Sequence, residues 1–275
     1  MKLRFTKMHS LGNDFVMING VGKNIRITQD IARVIADRNF GIGCDQIIMV
    51  SEKLSDAKFI MQIFNQDGSE VGQCGNGARC FAKFLVDESL TNQSEIQVET
   101  TTTAMKINLN EDKTVTAELM APIFQPSKIP LAVAQESMTY MVSTDMGEIR
   151  FSANSMGNPH CVILVDNLDC TDVLGIGELM ESHEIFPERA NIGFCELVSR
   201  SEIRLRVYER GVGETLGCGS GACAAVVAGI QGNRLDSKVE VNLPGGVVEV
   251  SWRGDKNPVY LTGRVHYVFD GFIEI

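Results

Sequence analysis

Two cysteine motifs of one design occur in this chain. The first reads QCGNGARC, residues 73–80, and the second reads GCGSGAC, residues 217–223. In each motif a cysteine precedes two glycines that bracket one small polar residue, and a helix-forming segment follows. The first N–H groups of a helix carry partial positive charge, which stabilises a thiolate or a bound carboxylate. The motifs therefore predict two thiols at helix N-termini, each with its pKa lowered from about 8.5.

Paired thiols of this kind suit proton transfer at a carbon next to a carboxylate. Removing that proton leaves a dianion-like centre, which two helix N-termini would stabilise electrostatically. One cysteine takes the proton as a thiolate, and the other returns a proton as a thiol from the opposite face, so that the stereocentre inverts. Neither a metal nor a pyridoxal cofactor is needed for this reaction, and we expect none.

The number and spacing of the cysteines disfavour disulfide and zinc sites. The chain has eight of them, at positions 44, 74, 80, 161, 170, 195, 218 and 223. A reducing compartment argues against a disulfide framework. Zinc is disfavoured because five and four residues separate the cysteines within the two motifs, and paired histidines are absent. Apolar neighbours predict that the following are small core residues: Cys44, Cys161, Cys170 and Cys195.

The second motif belongs to a longer internal repeat. At an offset of 144 residues FNQDGSEVGQC (64–74) lies over YERGVGETLGC (208–218), and at an offset of 145 GNDFVMI (12–18) lies over GNPHCVI (157–163). The polar residues of the two halves then coincide, in the pairs Asn13 with Asn158, Gln46 with Asn191, Asn65 with Glu209, and Cys74 with Cys218. A duplication into two similar domains explains this register, and it predicts that the matched loops face each other across a cleft.

The segments around the motifs predict an α+β fold. GARCFAKFLVDE is amphipathic, whereas GACAAVVAGIQG is apolar nearly all round, which indicates a helix buried on every side. Alternating or β-branched runs predict strands at EIQVE (95–99), IRLRVYE (203–209) and VVEVSW (247–252). LPGG (243–246) predicts a hairpin turn, and the proline-rich stretch 121–130 predicts the boundary between the domains. We expect two domains, each with a sheet wrapped around a central helix.

Composition and charge exclude several classes of function. Hydrophobic residues make up 44% and charged residues 22%, as in globular domains with a core. The net charge of -10, without a basic run, argues against a nucleic-acid partner. The first fifteen residues lack the apolar segment of a signal peptide, and no run of about 18 apolar residues could span a membrane. We expect a cytoplasmic protein.

Motifs along the whole chain resemble those of the diaminopimelate epimerase family. They are KMHSLGNDF, FNQDGSEVGQCGNGARC, SMGNPHCVI, ESHEIFPERANIGF, IRLRVYERGVGET, CGSGACAA, LPGG and YVFDGFIEI. This resemblance implies a cofactor-independent enzyme that interconverts LL- and meso-2,6-diaminopimelate in lysine and cell-wall precursor synthesis. It also implies two pseudo-symmetric domains, each a β-barrel-like mixed sheet around a central helix: residues 1–118 with a returning strand 264–275, and residues 119–263. A homodimer is implied as well, although Phe269 replaces a tyrosine that is common there.

The same resemblance implies a role for each matched site residue. Cys74 and Cys218 are the two acid/base residues, which exchange roles with the direction of reaction. The family's loops whose backbone holds the reacting α-carboxylate correspond here to Gly75, Asn76, Gly219 and Ser220. Glu209 and the Arg210 backbone bind the α-ammonium. The family's binding site for the distal end of the substrate corresponds here to Asn65, Asn158, Asn191 and the Arg210 guanidinium. Asn13 and Gln46 complete the pocket.

Some interpretations stay open on the sequence alone. His160, beside Asn-Pro, is typical of a hydrogen-bonded structural histidine, whereas the resemblance implies that His160 and Glu209 tune a cysteine pKa. A racemase or isomerase of another small carboxylate is the first alternative function, although Arg210 with three asparagines favours a long substrate with a charged far end. A non-enzymatic redox or metal-binding protein is the second alternative.

Overall fold

The computed structural model describes residues 2–72 and 74–275. The chain divides into two compact units, one of Met1–Glu118 with Thr262–Ile275 and one of Leu119–Leu261. Mixed β-sheet dominates both units, with few helices among the described residues. The predicted α+β class is therefore confirmed.

The first part of the chain forms eight strands and two α-helices within the described residues. The strands are β1 (Lys2–Ser10), β2 (Asn13–Asn19), β3 (Gln46–Ser55), β4 (Lys58–Asn65), β5 (Glu70–Val71), β6 (Glu95–Glu99), β7 (Ala104–Leu109) and β8 (Val115–Leu119). The helices are α1 (Gln29–Ala36) and α2 (Gly75–Asp87).

The remainder of the chain contributes ten strands, two α-helices and two short 3-10 helices. The strands are β9 (Tyr140–Thr144), β10 (Gly147–Ser155), β11 (Pro159–Leu164), β12 (Asn191–Ser199), β13 (Glu202–Glu209), β14 (Gly213–Thr215), β15 (Lys238–Leu243), β16 (Gly246–Trp252), β17 (Val259–Gly263) and β18 (His266–Glu274). The helices are α3 (Val173–Glu181), α4 (Gly219–Gln231) and the 3-10 turns Pro126–Lys128 and Leu168–Cys170. β18 belongs to the first unit, where it pairs with β1.

The two units repeat one order of strand pairing. In the first, β1–β2 is antiparallel, β2–β3 parallel, β3–β4 antiparallel and β4–β6 parallel. In the second, β10–β11, β11–β12, β12–β13 and β13–β15 follow the same sequence of directions. The register agrees as well, because Phe15 lies opposite Gln46 and the matched His160 lies opposite Asn191. The predicted pseudo-symmetry is confirmed at the level of individual residues.

Each unit wraps its sheet around one helix. α2 contacts β1, β2, β3 and β7, and α4 contacts β10, β11, β12, β13 and β16. All residues from Gly221 to Val227 in α4 are buried, as the apolar sequence predicts. Full burial of a side chain such as Val226 stabilises the fold by about 1.5–3 kcal/mol, so tertiary packing rather than helix propensity holds α4 in place.

Three of the four predicted core cysteines are buried, and the fourth is not. Cys44, Cys161 and Cys195 lie in the interior, where burial raises the pKa of Cys44 and of Cys195 to about 12. Cys170 is exposed, so its prediction as a core residue is wrong. It ends a single 3-10 turn in which Leu168 takes the buried position. In a single 3-10 turn only one of the side chains can point into the core.

None of the helices in residues 2–72 and 74–275 has the length and apolar character to cross a membrane. Across the same residues, no group of three or more His, Cys, Asp and Glu side chains is placed to hold a metal ion.

Candidate active site

In the first unit, the matched polar residues gather at one end of the sheet. Asn13 opens β2, Gln46 opens β3 and Asn65 ends β4. Because β2 and β3 are parallel and β4 runs the other way, these three positions lie at the same sheet end. α2 starts there too, since the Asn76 amide nitrogen lies 3.4 Å from the Asn13 amide oxygen.

The second unit builds the same arrangement from its own copy. Asn158 directly precedes β11, Asn191 opens β12 and Glu209 ends β13. The amide nitrogen of Asn158 lies 3.5 Å from the Ser220 hydroxyl, which brings the start of α4 to this end. The repeat therefore places a helix N-terminus beside three polar side chains in each unit.

Cys74 is the N-cap residue of α2. Its backbone is extended, and its sulfur accepts a hydrogen bond from the Gly77 backbone N–H at 3.2 Å. A Cβ on Gly77 would lie 3.2 Å from this sulfur and 2.5 Å from Ile48 Cδ1. The glycine is therefore required for the close approach of the backbone to the thiol.

Hydrogen bonds fix the side-chain amides around Cys74. The Asn13 amide donates to the Asp45 carboxylate at 2.9 Å, which leaves the Asn13 oxygen to face Asn76. Gln46 donates to the Asn65 oxygen at 3.0 Å, and Asn65 donates to the Ser69 hydroxyl at 3.1 Å. The four predicted amides thus form two hydrogen-bonded pairs, Asn13 with Asn76 and Gln46 with Asn65.

Arg79 is a site residue that the sequence analysis missed. It is fully buried and donates from Nη2 to the Asn76 oxygen at 2.9 Å and to the Ser10 hydroxyl at 2.7 Å. It occupies the same helical stripe as Lys83 and Asp87, so the sequence pattern predicts an exposed position. The contact with Ser10 on β1 shows that the first turns of α2 are covered.

Cys218 is the N-cap residue of α4 and is 5% exposed. Its sulfur lies 3.6 Å from the Ser220 hydroxyl, and Ser220 in turn contacts Asn158. His160 Nε2 lies 2.9 Å from the Asn158 oxygen. Burial, with the charge of Arg210, lowers the pKa of His160 to about 3, so the imidazole is neutral at physiological pH. A polar chain therefore runs from His160 to the thiol.

The pKa of Cys218 is raised well above its usual value, not lowered as the sequence predicted. Burial is the largest cause, and the Glu209 carboxylate raises the pKa further. The Ser220 hydroxyl and the Gly221 N–H act in the opposite direction but do not overcome burial. Glu209 is itself oriented by the Thr215 hydroxyl at 2.6 Å. The Cys218 side chain is consequently a neutral thiol in this state.

Asn191 and Arg210 lie together beside the end of β13. The Asn191 amide donates to the Pro159 carbonyl and accepts from the Arg210 backbone N–H, both at 3.1 Å. The Arg210 guanidinium donates from Nη1 to the Glu188 carbonyl at 3.1 Å. Gly75 and Gly219 are the first residues of α2 and α4, where their backbone N–H groups lack helical acceptors.

Comparison with known proteins identifies the family. A family model described as diaminopimelate epimerase matches residues 5–123 and 152–268. A "Diaminopimelate epimerase" of Teredinibacter turnerae is 50% identical over 276 residues, with 100% of both chains covered. The chain belongs to the diaminopimelate epimerase family.

Solved structures place this epimerase-family chain in a wider fold group. A phenazine biosynthesis protein of the PhzF family from Bacillus anthracis matches with a TM-score of 0.70 at 18% identity, covering 100% of both chains. A hydroxyproline epimerase from Agrobacterium vitis matches with a TM-score of 0.72 at 15% identity, covering 99% of this chain and 92% of that one. At these identities the likeness establishes the shared two-domain fold.

Proposed function

We propose that the protein interconverts LL- and meso-2,6-diaminopimelate by proton exchange at one α-carbon, with Cys74 and Cys218 as the acid/base pair and no cofactor. The observation that carries this proposal is the repeated N-cap cysteine. In both units of a diaminopimelate epimerase family member, a cysteine is the N-cap residue of a helix whose first two residues are a glycine and a small polar residue.

The helix N-termini supply the electrostatic part of the mechanism. In the proposed complex the α-carboxylate accepts hydrogen bonds from backbone N–H groups at Gly75 and Asn76 and at Gly219 and Ser220. Within each helix the backbone holds these groups before the substrate binds, so they stabilise the charge that develops when the α-proton leaves. Their partial positive charge offsets the loss of bulk water around the carboxylate.

The two thiols must start in different protonation states, because one abstracts a proton and the other donates one. The raised pKa of Cys218 favours Cys218 as the thiol that donates. Cys74 is then the thiolate that abstracts the α-proton. After one turnover the states are exchanged, and the reverse reaction begins from that exchanged pair.

The remaining side chains suit a substrate with charges at both ends. The Glu209 carboxylate and the Arg210 carbonyl bind the α-ammonium. The Arg210 guanidinium binds the distal carboxylate as a charge-assisted pair. The amides of Asn65, Asn158 and Asn191 bind the rest of the distal end, and Asn13 and Gln46 complete the pocket. His160 orients the Asn158 amide and thereby the hydroxyl of Ser220 beside the Cys218 thiol.

The proposal is tested by incubating dialysed protein with LL-diaminopimelate and following the meso isomer by chiral chromatography. We expect conversion that neither EDTA nor hydroxylamine, which traps pyridoxal phosphate, reduces. Proline and trans-4-hydroxyproline serve as alternative substrates. Turnover of either, with LL-diaminopimelate unchanged, would replace the proposal by the racemase alternative.

We also propose a homodimer that acts in the cytoplasm, in lysine and peptidoglycan precursor biosynthesis. The final strand β18 exposes Tyr267, Phe269 and Phe272, at 57%, 44% and 61% of their surface. Large aromatic side chains exposed on one strand favour burial against a second copy of the chain. Light scattering should give twice the mass of 30.1 kDa, and Phe272→Lys should shift the protein toward monomer. A monomeric wild-type protein at micromolar concentration would exclude the dimer.

A further inference from the structure

Glu181, the last residue of α3, carries a buried carboxylate with defined partners. Its side chain is 8% exposed. One carboxylate oxygen, Oε1, accepts the Gly211 backbone N–H at 2.8 Å and lies 3.4 Å from Arg189 Nη1. A buried charge costs several kcal/mol unless it is hydrogen-bonded, so these contacts determine where the Glu181 side chain can lie.

The partner Gly211 lies in the turn that carries Arg210. Gly211 has a φ of 72°, which favours glycine, and three successive N–H groups of this turn have acceptors. Arg210 donates to the Asn191 amide at 3.1 Å, Gly211 donates to Glu181 at 2.8 Å, and Val212 donates to the Glu209 carbonyl at 3.1 Å. Among these acceptors Glu181 is the charged one, and charge-assisted hydrogen bonds are about twice as strong as neutral ones.

Glu181 also holds the segment that orients the Arg210 guanidinium. The Glu188 carbonyl accepts from Arg210 Nη1 at 3.1 Å. The next residue, Arg189, has a φ of 59°, and Ala190 donates its N–H to the Glu181 carbonyl at 3.2 Å. The 188–190 segment is therefore tied to Glu181 at two points. The Ala190 N–H bonds the Glu181 main-chain carbonyl, and the Arg189 guanidinium lies 3.4 Å from the Glu181 carboxylate.

We propose that Glu181 is a positioning residue that orients the Arg210 guanidinium toward the distal carboxylate of the substrate. Glu181 connects the turn that contains Arg210 with the 188–190 segment. The Glu188 carbonyl of that segment accepts the hydrogen bond from the Arg210 guanidinium. This inference rests on the proposed function, because it takes Arg210 as the group that recognises the distal carboxylate. Glu181 itself touches no reacting atom in this scheme.

The inference predicts a specific pattern of kinetic constants. Glu181→Leu removes the carboxylate that accepts from Gly211 and lies beside Arg189, while the main-chain bond from Ala190 to residue 181 remains. The turn then loses its link to the 188–190 segment. We expect KM for LL-diaminopimelate to rise at least about tenfold while kcat changes less, because the reacting end is held elsewhere. Glu181→Gln keeps an oxygen acceptor for Gly211 and should restore KM to within about threefold of wild type. Glu178→Leu, the same change one turn earlier on the exposed side of α3, should have no effect.

A double-mutant cycle with Arg210→Ala distinguishes an effect of Glu181 on the orientation of Arg210 from an effect on the stability of the whole protein. If Glu181 acts through Arg210, the KM effect of Glu181→Leu falls below about twofold once Arg210 is alanine. An undiminished effect in that background, or unchanged KM in the single variant, would overturn the inference. A crystal structure of Glu181→Leu should also lack the Arg210–Glu188 contact, and its retention would count against the inference whatever the activity. If Glu181→Leu does not fold, Glu181→Ser takes its place, since it leaves room for water.

The controls keep the two proposals apart. Wild-type protein that fails to convert LL-diaminopimelate contradicts the proposed function alone, and the crystal structure of the Glu181 variant still decides whether Glu181 holds Arg210. Active wild-type protein with an inert Glu181→Leu substitution contradicts only the role of Glu181.

Discussion

Gly77 donates its backbone N–H to the sulfur of Cys74 across 3.2 Å. The second unit repeats the close approach of this glycine, because a Cβ on the matched Gly221 would lie 3.3 Å from the sulfur of Cys218. In both helices the third residue is a glycine that the thiol approaches closely. Each sulfur therefore packs against a glycine in the first turn of its helix, where a larger residue would crowd it.

Gly221→Ala tests how closely the position of the thiol is tuned. The new methyl would lie 3.1 Å from Val207 Cγ2 and 3.3 Å from the Cys218 sulfur, so the thiol must shift by a few tenths of an ångström. We expect kcat to fall at least about tenfold with little change in melting temperature, because alanine favours the helix by about 1 kcal/mol. Gly193→Ala is the control, since its methyl meets only an ordinary contact at 3.5 Å. Equal activities of the two variants would contradict the prediction.

Removal of either N-cap thiol should abolish turnover. Cys74→Ala and Cys218→Ala each delete one acid/base group, which contributes about 10²–10⁴-fold to the rate, and an alanine cannot replace it. Circular dichroism should show that both variants stay folded. Cys170→Ala, at an exposed cysteine outside the site, should keep full activity. Substantial turnover by either folded N-cap variant would refute the two-thiol mechanism.

Solvent deuterium distinguishes two bases from one. A thiol that donates has already exchanged its proton with D₂O, whereas the thiolate holds the original α-hydrogen. Product formed early from unlabelled LL-diaminopimelate should carry deuterium at the inverted carbon, and the remaining substrate should stay largely unlabelled. Proton NMR of the α-position at low conversion measures both. Appreciable α-hydrogen in the product would exclude paired cysteines.

The neutral His160 makes stability depend on pH. Its pKa is about 3 in the folded chain, against the ordinary histidine value of 6.5 that applies in the unfolded chain. Between these values the unfolded chain binds the proton and the folded chain does not, so stability is lost as pH falls from 6.5 toward 3. One such group contributes a slope of about 1.4 kcal/mol per pH unit. Urea unfolding between pH 7 and 5 should show a shallower fall for His160→Gln, and parallel curves would contradict this.

The charge of Glu209 should control the reactivity of Cys218. Because the carboxylate raises the pKa of this thiol, Glu209→Gln should lower that pKa and speed alkylation of Cys218 at a fixed pH. The comparison is made in a Cys74→Ala background, with the modified peptide quantified by mass spectrometry. Glu214→Gln, on the neighbouring strand and paired with Arg206, is the control. Slower or unchanged alkylation in Glu209→Gln would show that burial alone sets the pKa.

Sequence reasoning predicted the parts of the fold that have a local pattern or a repeated motif. EIQVE is strand β6 with the predicted bounds, and α4 is buried as its apolar sequence requires. Gln46 and Asn191 could be matched because the chain contains both copies, and strand register then preserved the match. Their roles toward a substrate stay predictions.

The parts that sequence reasoning missed depend on contacts between segments far apart in the chain. Arg79 meets Ser10 from β1, and Asp45 orients Asn13, yet neither pairing has a periodic pattern. The direction of the Cys218 pKa shift was wrong for a related reason. The helix N-terminus is visible in the sequence, but the depth of burial and the proximity of Glu209 arise only from packing.

Cysteine is a poor choice for beginning a helix. Serine, threonine, aspartate and asparagine cap helix N-termini best, since an oxygen accepts the exposed N–H groups better than sulfur does. At Cys74 and Cys218 the chain has sulfur at that position in both central helices. Cys74→Ser and Cys218→Ser should therefore melt at or above the wild-type temperature while losing turnover. The central helix of each unit therefore begins with a residue that serves the proposed chemistry at the expense of stability, and this trade-off occurs once in each half of the molecule.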